Sequence, residues 1–199
     1  MKILNCQQNK INKKDLQGQV FVYPTETVYG LGCDPFDPEL VEQIYQIKGR
    51  AENKPFLILA DNLKTVEKHF YLNKKEKELA RKYWPGALTI LLRPKNKRTF
   101  SHLNCSDRVG VRISGSKLAR DITRTSGGLL VSTSANISGK KPASSKTAII
   151  DQFKKQNTKP DLLLDGGRLK KEAPSTIVLV EKNDVQVLRQ GDIIIKNRK

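Results

Sequence analysis

The stretch Val20-Phe-Val-Tyr-Pro-Thr-Glu-Thr-Val-Tyr-Gly-Leu-Gly32 places an apolar run directly before a hydroxyl-rich turn. The run at residues 20–23 consists of β-branched and aromatic side chains, which predicts a buried strand. The polar segment 24–32 is typical of a strand-to-helix turn. The next periodic segment, residues 37–48, carries apolar side chains on one face and ends before Gly49, which predicts a helix. A strand, a turn and a helix in this order favour an α/β or α+β layered domain.

Short apolar runs and helical patterns alternate over the rest of the chain. No Pro-, Gly- or Ser-rich linker divides them, so the sequence predicts one domain built on one large sheet. No segment recurs at a fixed period, which argues against a solenoid. Further strands are predicted at residues 56–60, 87–92, 109–113, 129–132, 162–164, 176–180 and 185–188, and further helices at residues 62–70, 74–83, 116–125 and 145–156.

The composition of the 199-residue chain, 37% hydrophobic and 29% charged, is that of a globular protein. No apolar run approaches the roughly 18 residues of a membrane helix, and the N-terminus lacks the apolar stretch of a signal peptide. We therefore expect a cytoplasmic protein with no membrane partner. Cys6, Cys33 and Cys105 lie far apart and the chain has only two histidines, so we expect reduced thiols and no metal site.

The net charge of +17, from 37 Lys and Arg against 20 Asp and Glu, indicates an anionic partner. The sequence matches neither of the two best-known phosphate-binding motifs. Residues 110–117 resemble a P-loop, but the order of Lys and Ser is reversed and the centre of the segment is typical of a strand. Gly30-Leu31-Gly32 lacks the third glycine of the dinucleotide-binding fingerprint.

Four groups of residues beside predicted strands carry the side chains of a binding site. The first is the hydroxyl-rich segment 24–32, which is also compatible with an ordinary turn. The second, residues 48–55, carries three cations that either clamp an anion or only complement the dipole at a helix end. The third, residues 132–139, has four hydroxyl side chains, which favour a polar small-molecule pocket. The fourth group comprises residues 165–167, 173–176 and 188–191, each of which alone would be a common turn.

Arg112 lies on the predicted strand 109–113, where the backbone could hold its guanidinium rigid against a carboxylate. No histidine occurs in any of these loops, so a histidine-based acid–base or nucleophilic mechanism has little support.

Taken in order, these segments resemble the threonylcarbamoyl-AMP synthase family (YrdC/TsaC), in its short single-domain form. The resemblance covers nearly the whole chain, from about residue 18 to about residue 192. Any one segment is a weak signal, but seven in the order of the family are a strong one. The matching segments are Tyr23-Pro-Thr-Glu-Thr-Val-Tyr-Gly-Leu-Gly32, Lys48-Gly-Arg50, Trp84-Pro-Gly86, Val109-Gly-Val-Arg112, Ser132-Thr-Ser-Ala-Asn-Ile-Ser-Gly139, Pro174-Ser-Thr176 and Arg189-Gln-Gly191.

The resemblance implies a YrdC-like fold over residues 1–199: a twisted, mixed β-sheet flanked by helices around a basic cavity. It implies a nucleotidyltransferase that condenses L-threonine, bicarbonate and ATP to threonylcarbamoyl-adenylate and releases pyrophosphate. The product would supply a downstream threonylcarbamoyl transferase complex that forms N6-threonylcarbamoyladenosine in tRNA. Mg²⁺ would be held mainly by the ATP phosphates, so no protein metal ligands are expected.

The resemblance also implies roles for individual residues. Lys48 and Arg50 would lie close to the phosphates and act in catalysis, by neutralising charge while a threonine carbamate oxygen attacks the α-phosphate. Glu26 could be a ligand, a base or a turn stabiliser. L-threonine would be held by Thr27, Arg112, Ser132 and Ser175, and ATP by Arg50, Lys54, Ser134, the main chain near Ala143, and Arg189.

The alternative function is a non-catalytic basic protein that binds RNA, such as a tRNA-binding or ribosome-maturation factor. Its support is the net charge. Against it, aromatic residues make up only 6% of the chain, and no RNA-binding motif with stacking aromatics occurs. Direct contact with tRNA is also compatible with the synthase interpretation.

Overall fold

A mixed β-sheet of eleven strands runs through the described part of the molecule. The computed structural model describes residues 1–6, 8–49, 55–105, 107–169, 174–182 and 184–195. The strands are β1 (Lys2–Asn5), β2 (Phe21–Pro24), β3 (Tyr29–Gly32), β4 (Leu57–Ala60), β5 (Phe70–Tyr71), β6 (Leu88–Pro94), β7 (Val109–Arg112), β8 (Leu129–Ser134), β9 (Leu162–Asp165), β10 (Thr176–Glu181) and β11 (Asp184–Arg189).

Parallel and antiparallel neighbours alternate irregularly across the sheet. The strand order is β1-β9-β2-β3-β8-β4-β7-β6-β10-β11, with β5 paired to β6 outside this path. β2, β3, β8 and β4 are antiparallel to one another in turn, whereas β4–β7 and β6–β10 are parallel pairs. Consecutive strands of this central region therefore end at opposite edges of the sheet.

Helices cover both faces of this sheet. They are α1 (Lys13–Leu16), α2 (Pro38–Lys48), α3 (Leu63–His69), α4 (Lys74–Tyr83), α5 (Lys117–Thr125) and α6 (Lys146–Phe153), and a 3-10 helix spans Lys97–Leu103. The larger apolar cluster joins one face to α2, α3, α4 and α6. A smaller cluster joins the other face to α1 and α5.

The structure confirms the mixed α/β sheet flanked by helices, and every predicted strand and helix is present with shifts at its ends. The prediction of segment 24–32 as one turn was wrong, because its second half is the strand β3. The strands β1 and β5 and the helices α1 and 3-10 were also not predicted. Each of these four is at most seven residues long, and so short a segment carries little periodic signal.

Two further features concern membrane-spanning helices and the state of the cysteines. No helix in the described part of the chain is long and apolar enough to cross a membrane. Cys6, Cys33 and Cys105 are free thiols, and Cys33 is fully buried in the larger cluster.

We predict that Gly32→Ala destabilises the protein. A Cβ atom built on Gly32 would lie 2.3 Å from the carbonyl oxygen of Val131 on the neighbouring strand, so the backbone would have to move. We expect a loss of about 2 kcal/mol or more in the free energy of unfolding, as for overpacked cores, measured by urea titration. Gly115→Ala is the control, because the nearest atom to its Cβ would be 3.4 Å away. Equal stability of the two variants would contradict the prediction.

Candidate functional site

Several of the side chains proposed from the sequence lie on one face of the sheet. Tyr23 is in register with Gly30, and Gly30 with Ser134, so these positions share a face. Ser132 lies on the same face, two residues earlier on β8. The register through β4 extends this face to Arg112 on β7. It is the face that carries the smaller apolar cluster and α5.

The loop between β2 and β3 is held by its own hydroxyl groups. The Thr25 hydroxyl donates to the carbonyl of Val28 over 2.6 Å and accepts from the amides of Thr27 and Val28. This is the turn chemistry expected of threonine. Thr27 is buried, and its hydroxyl lies 3.2 Å from that of Thr25. The hydroxyl-rich motif therefore builds a rigid tip that presents Glu26.

Glu26 forms a buried ion pair with Arg112, through one guanidinium Nη2 and the carboxylate Oε1. The hydroxyl of Ser114 donates to Oε2 over 2.5 Å, and the amide of Gly115 donates to Oε1 over 2.9 Å. Both donors lie just before α5. Burial raises the pKa of Glu26, but Arg112 and these hydrogen bonds outweigh it, so the pKa is lowered overall. Glu26 is therefore ionised at neutral pH.

Arg112 is also fixed on its other side, by the Trp84-Pro-Gly86 segment. Its Nε donates to the carbonyl of Gly86 over 3.0 Å, and the amide of Gly86 donates to the carbonyl of Ile113. A Cβ on Gly86 would lie 2.4 Å from the Tyr83 carbonyl, so the segment requires glycine there. Within the described residues neither hydrogen bond of Arg112 uses Nη1, which leaves one edge of the fork for a ligand.

Arg189 and Ser175 form a second polar group. The Arg189 guanidinium donates to the Ser175 carbonyl over 2.9 and 3.1 Å and to its hydroxyl over 3.0 Å. The Ser175 hydroxyl also lies 2.9 Å from that of Thr89 on β6. Burial, and secondly the positive charge of Arg112, lower the pKa of Arg189. The two arginines therefore lie close enough for their charges to interact.

Lys48 faces the loop that follows β8. Its side chain is buried, and its Nζ donates to the carbonyls of Ser134 and Asn136 over 2.6 and 2.8 Å. The amide nitrogen of Asn136 donates to the carbonyls of Ile137 and Lys140. Lys48 thus anchors this loop. Within the same loop, Oδ1 of Asn136 is a buried acceptor that receives no hydrogen bond from the described residues.

The remaining predicted residues fall partly outside the described structure. The main chain of Ala143 accepts from the amide of Tyr29, the first residue of β3, over 3.1 Å. Arg50 and Lys54 lie outside the described residues. Of the predicted set, the structure thus places Ser132, Ser134 and Arg112 on this face, Thr27 in the loop that carries Glu26, and Ser175 with Arg189 in a second polar group. Ala143 and the helix that carries Lys48 belong to the larger apolar cluster.

The structure adds residues that the sequence analysis did not assign. Tyr23 donates to Ser132 over 2.6 Å, Thr89 pairs with Ser175, and Ser114 binds Glu26. Tyr23 stands inside a quoted motif, so the pattern contained it without indicating its partner. Thr89 had no signal beyond being a polar residue in an apolar strand.

The arrangement favours an anionic ligand with acceptor oxygens. Arg112 and Arg189 are rigidly held cations, and a planar guanidinium matches the geometry of carboxylate and phosphate groups. The hydroxyls of Ser132 and Ser175 add neutral donors. In the described residues no three His, Cys, Asp or Glu side chains group together as metal ligands would.

Comparison with known proteins gives consistent matches. The Sua5/yciO/yrdC family model, described as "Telomere recombination", matches residues 16–191. The threonylcarbamoyl-AMP synthase of Pseudoalteromonas atlantica is 36% identical over 167 residues, which cover 81% of this chain and 86% of that protein. P. abyssi Sua5 in complex with L-threonine superposes with a TM-score of 0.79 at 27% identity, over 96% of this chain and 57% of that one. E. coli YciO superposes with a TM-score of 0.76 at 22% identity, over 96% and 95% of the two chains. The chain thus spans little more than half the length of P. abyssi Sua5.

We predict that Glu26→Gln lowers stability in a pH-dependent way. At pH 7 it would leave Arg112 buried without a counter-ion, which costs about 3–5 kcal/mol. Because the folded pKa of Glu26 lies below its ordinary value of 4.5, the wild-type advantage is complete above about pH 4.5 and decreases as the pH falls through the folded pKa. Urea titrations of both proteins between pH 3 and 7 measure this.

Glu76→Gln is the matched control, because Glu76 forms a comparably buried pair with Arg108 over 3.4 Å. Burial raises the pKa of Glu76. Its ionisation therefore costs stability, so the difference between wild type and Glu76→Gln should fall as the pH rises through the folded pKa. The two differences should change with pH in opposite directions, and the same direction for both would contradict the assignment of Glu26.

Proposed function

The chain belongs to the Sua5/YciO/YrdC family, and from this premise we propose that it is a threonylcarbamoyl-AMP synthase. The reaction joins L-threonine, bicarbonate and ATP to threonylcarbamoyl-adenylate and releases pyrophosphate. Its product would serve N6-threonylcarbamoyladenosine formation in tRNA. The named relative of Pseudoalteromonas atlantica and the threonine complex of P. abyssi Sua5 support this proposal.

The observation that carries the proposal is the fork of Arg112. Its guanidinium is buried and held at Nη2 by Glu26 and at Nε by the Gly86 carbonyl. The pair with Glu26 neutralises part of its charge but leaves Nη1 without a partner among the described residues. An α-carboxylate fits such a preorganised donor, because the cost of orienting the guanidinium has already been met.

The roles that we propose for the side chains are those implied by the family resemblance. We assign threonine to the part of the face around Arg112, and we propose that the ATP phosphates lie near Arg189 and the loop that Lys48 binds. Lys48 would act through the loop whose carbonyls it binds, as well as through its charge. The residues proposed to bind threonine are Thr27, Arg112, Ser132 and Ser175. The residues proposed to bind ATP are Arg50, Lys54, Ser134, the main chain of Ala143, and Arg189. Lys48 and Arg50 would support the chemical step.

The chemistry needs no protein nucleophile. Threonine and bicarbonate give a carbamate and water, a carbamate oxygen attacks the α-phosphorus of ATP, and pyrophosphate leaves. Cations near the phosphates would stabilise the negative charge that builds up in the transition state. Mg²⁺ would enter with ATP and bind phosphate oxygens, as it commonly does in enzymes that use nucleotides.

The proposed product is an activated intermediate. A downstream threonylcarbamoyl transferase complex would take it to tRNA, and we propose that both steps occur in the cytoplasm. The positive charge of the chain would also favour direct contact with tRNA.

We predict that pyrophosphate release from ATP by the purified protein requires threonine and bicarbonate together. A coupled pyrophosphate assay with each component omitted in turn measures this. Release that is indifferent to threonine would overturn the proposal. Tight, salt-dependent binding of tRNA without any pyrophosphate release would favour the non-catalytic RNA-binding alternative instead.

We predict that Arg112→Lys raises the KM for threonine about 10- to 100-fold, because the loss of a charge-assisted hydrogen bond typically has this size. The KM for ATP should change by less than about threefold. Lysine is used because it keeps a positive charge beside Glu26. Steady-state pyrophosphate release at varied threonine and varied ATP separates the two constants.

Arg108→Lys is the matched control. Arg108 is also paired with a glutamate, Glu76, and with a backbone carbonyl, that of Leu91, but outside the site. Its substitution should leave both KM values unchanged. If Arg112→Lys weakened ATP and threonine equally, the carboxylate assignment of Arg112 would be wrong.

A further inference from the structure

The side chain of Tyr23 crosses a whole strand of the sheet to reach the site. Tyr23 lies on β2 and its hydroxyl meets Ser132 on β8, with β3 between them. The distance is 2.6 Å, and the tyrosine has no exposed surface. A fully buried hydroxyl that bonds a residue two strands away is held in one position.

Two glycines of β3 make this crossing possible. A Cβ on Gly30 would lie 2.8 Å from Cζ of Tyr23 and 3.0 Å from its hydroxyl oxygen, and a Cβ on Gly32 would lie 3.1 Å from Cε1. Any larger residue at Gly30 would displace the ring. The ring of Tyr23 therefore packs directly over Gly30 and Gly32 of β3.

The direction of the hydrogen bond determines what Ser132 can do. The Tyr23 hydroxyl donates and Ser132 Oγ accepts, so the proton of Ser132 points elsewhere. Within the described residues it has no acceptor. Burial also raises the pKa of Tyr23, so the phenol keeps the proton that it donates across the physiological range.

We propose that Tyr23 is a positioning residue that holds Ser132 as a hydrogen-bond donor to an oxygen of the bound amino acid. The inference rests on the proposed function for the identity of that amino acid. It adds a group that touches no substrate and acts only through Ser132. Ser175 has a comparable arrangement, since its Oγ accepts from Nη2 of Arg189.

The test is Tyr23→Phe, which removes the hydroxyl and keeps the ring packed over Gly30 and Gly32. Loss of one buried hydrogen bond predicts that threonine binds about five- to tenfold more weakly. The affinity for ATP should stay within about twofold. Isothermal titration with threonine alone and with ATP alone measures both, and the KM values from pyrophosphate release should follow the same pattern.

A double-mutant cycle separates positioning from a general loss of structure. If Tyr23 acts through Ser132, Tyr23→Phe combined with Ser132→Ala should bind threonine no more weakly than Ser132→Ala alone. Tyr45→Phe is the control, because its buried hydroxyl lies 3.5 Å from the Leu103 carbonyl on the larger-cluster side. It should leave both affinities unchanged.

The outcomes distinguish this inference from the function on which it rests. Wild-type affinity for threonine in Tyr23→Phe, or additive effects in the double variant, would overturn the role of Tyr23 and leave the synthase proposal standing. A wild-type protein that neither binds threonine nor requires it for pyrophosphate release would overturn both.

Discussion

The buried pair of Glu26 and Arg112 joins four parts of the chain that are far apart in sequence. Glu26 brings the β2–β3 loop, and its partners Ser114 and Gly115 bring the start of α5. Arg112 brings β7 and, through Nε, the Gly86 segment. Since a buried charge without its partner is costly, none of these parts can move independently. The site is therefore assembled before any ligand arrives, and the ligand meets a guanidinium that is already oriented.

Elements with strong local signals could be predicted from the sequence. The helix α2 is the clearest case: Asp37 caps it by accepting from the amides of Glu39 and Leu40, and Gly49 ends it with a φ of 53°. The strand β3 could not be predicted in the same way. Its glycines have low strand propensity, and they are there because the ring of Tyr23 on the neighbouring strand lies over them.

The same distinction applies to the candidate site: the residue types could be predicted from the sequence, but their partners could not. The residue types of the motifs indicate an anion site, because arginine and hydroxyl side chains suit carboxylate and phosphate oxygens whatever the fold. Their partners depend on the sheet order, which no local pattern specifies. The hydrogen bond between Thr89 and Ser175 joins β6 to the residue before β10. Lys48 is likewise of a residue type that contacts phosphate groups, yet its ammonium donates to two backbone carbonyls. Its charge therefore also fixes the loop that carries Ser134.

The mixed sheet explains why the site lies on a face. In a parallel sheet the carboxyl ends of the strands meet at one edge, and ligands bind there. Here β2, β3, β8 and β4 alternate in direction, so side chains from several strands can converge only across the surface between the edges. Glycines at 30 and 32 leave room on that face for the ring of Tyr23, and a Cβ on Gly110 would lie 3.2 Å from the side chain of Thr89. The opposite face carries the larger apolar cluster, so one face of the sheet supplies most of the apolar burial, while the other combines the smaller cluster with the polar side chains of the site.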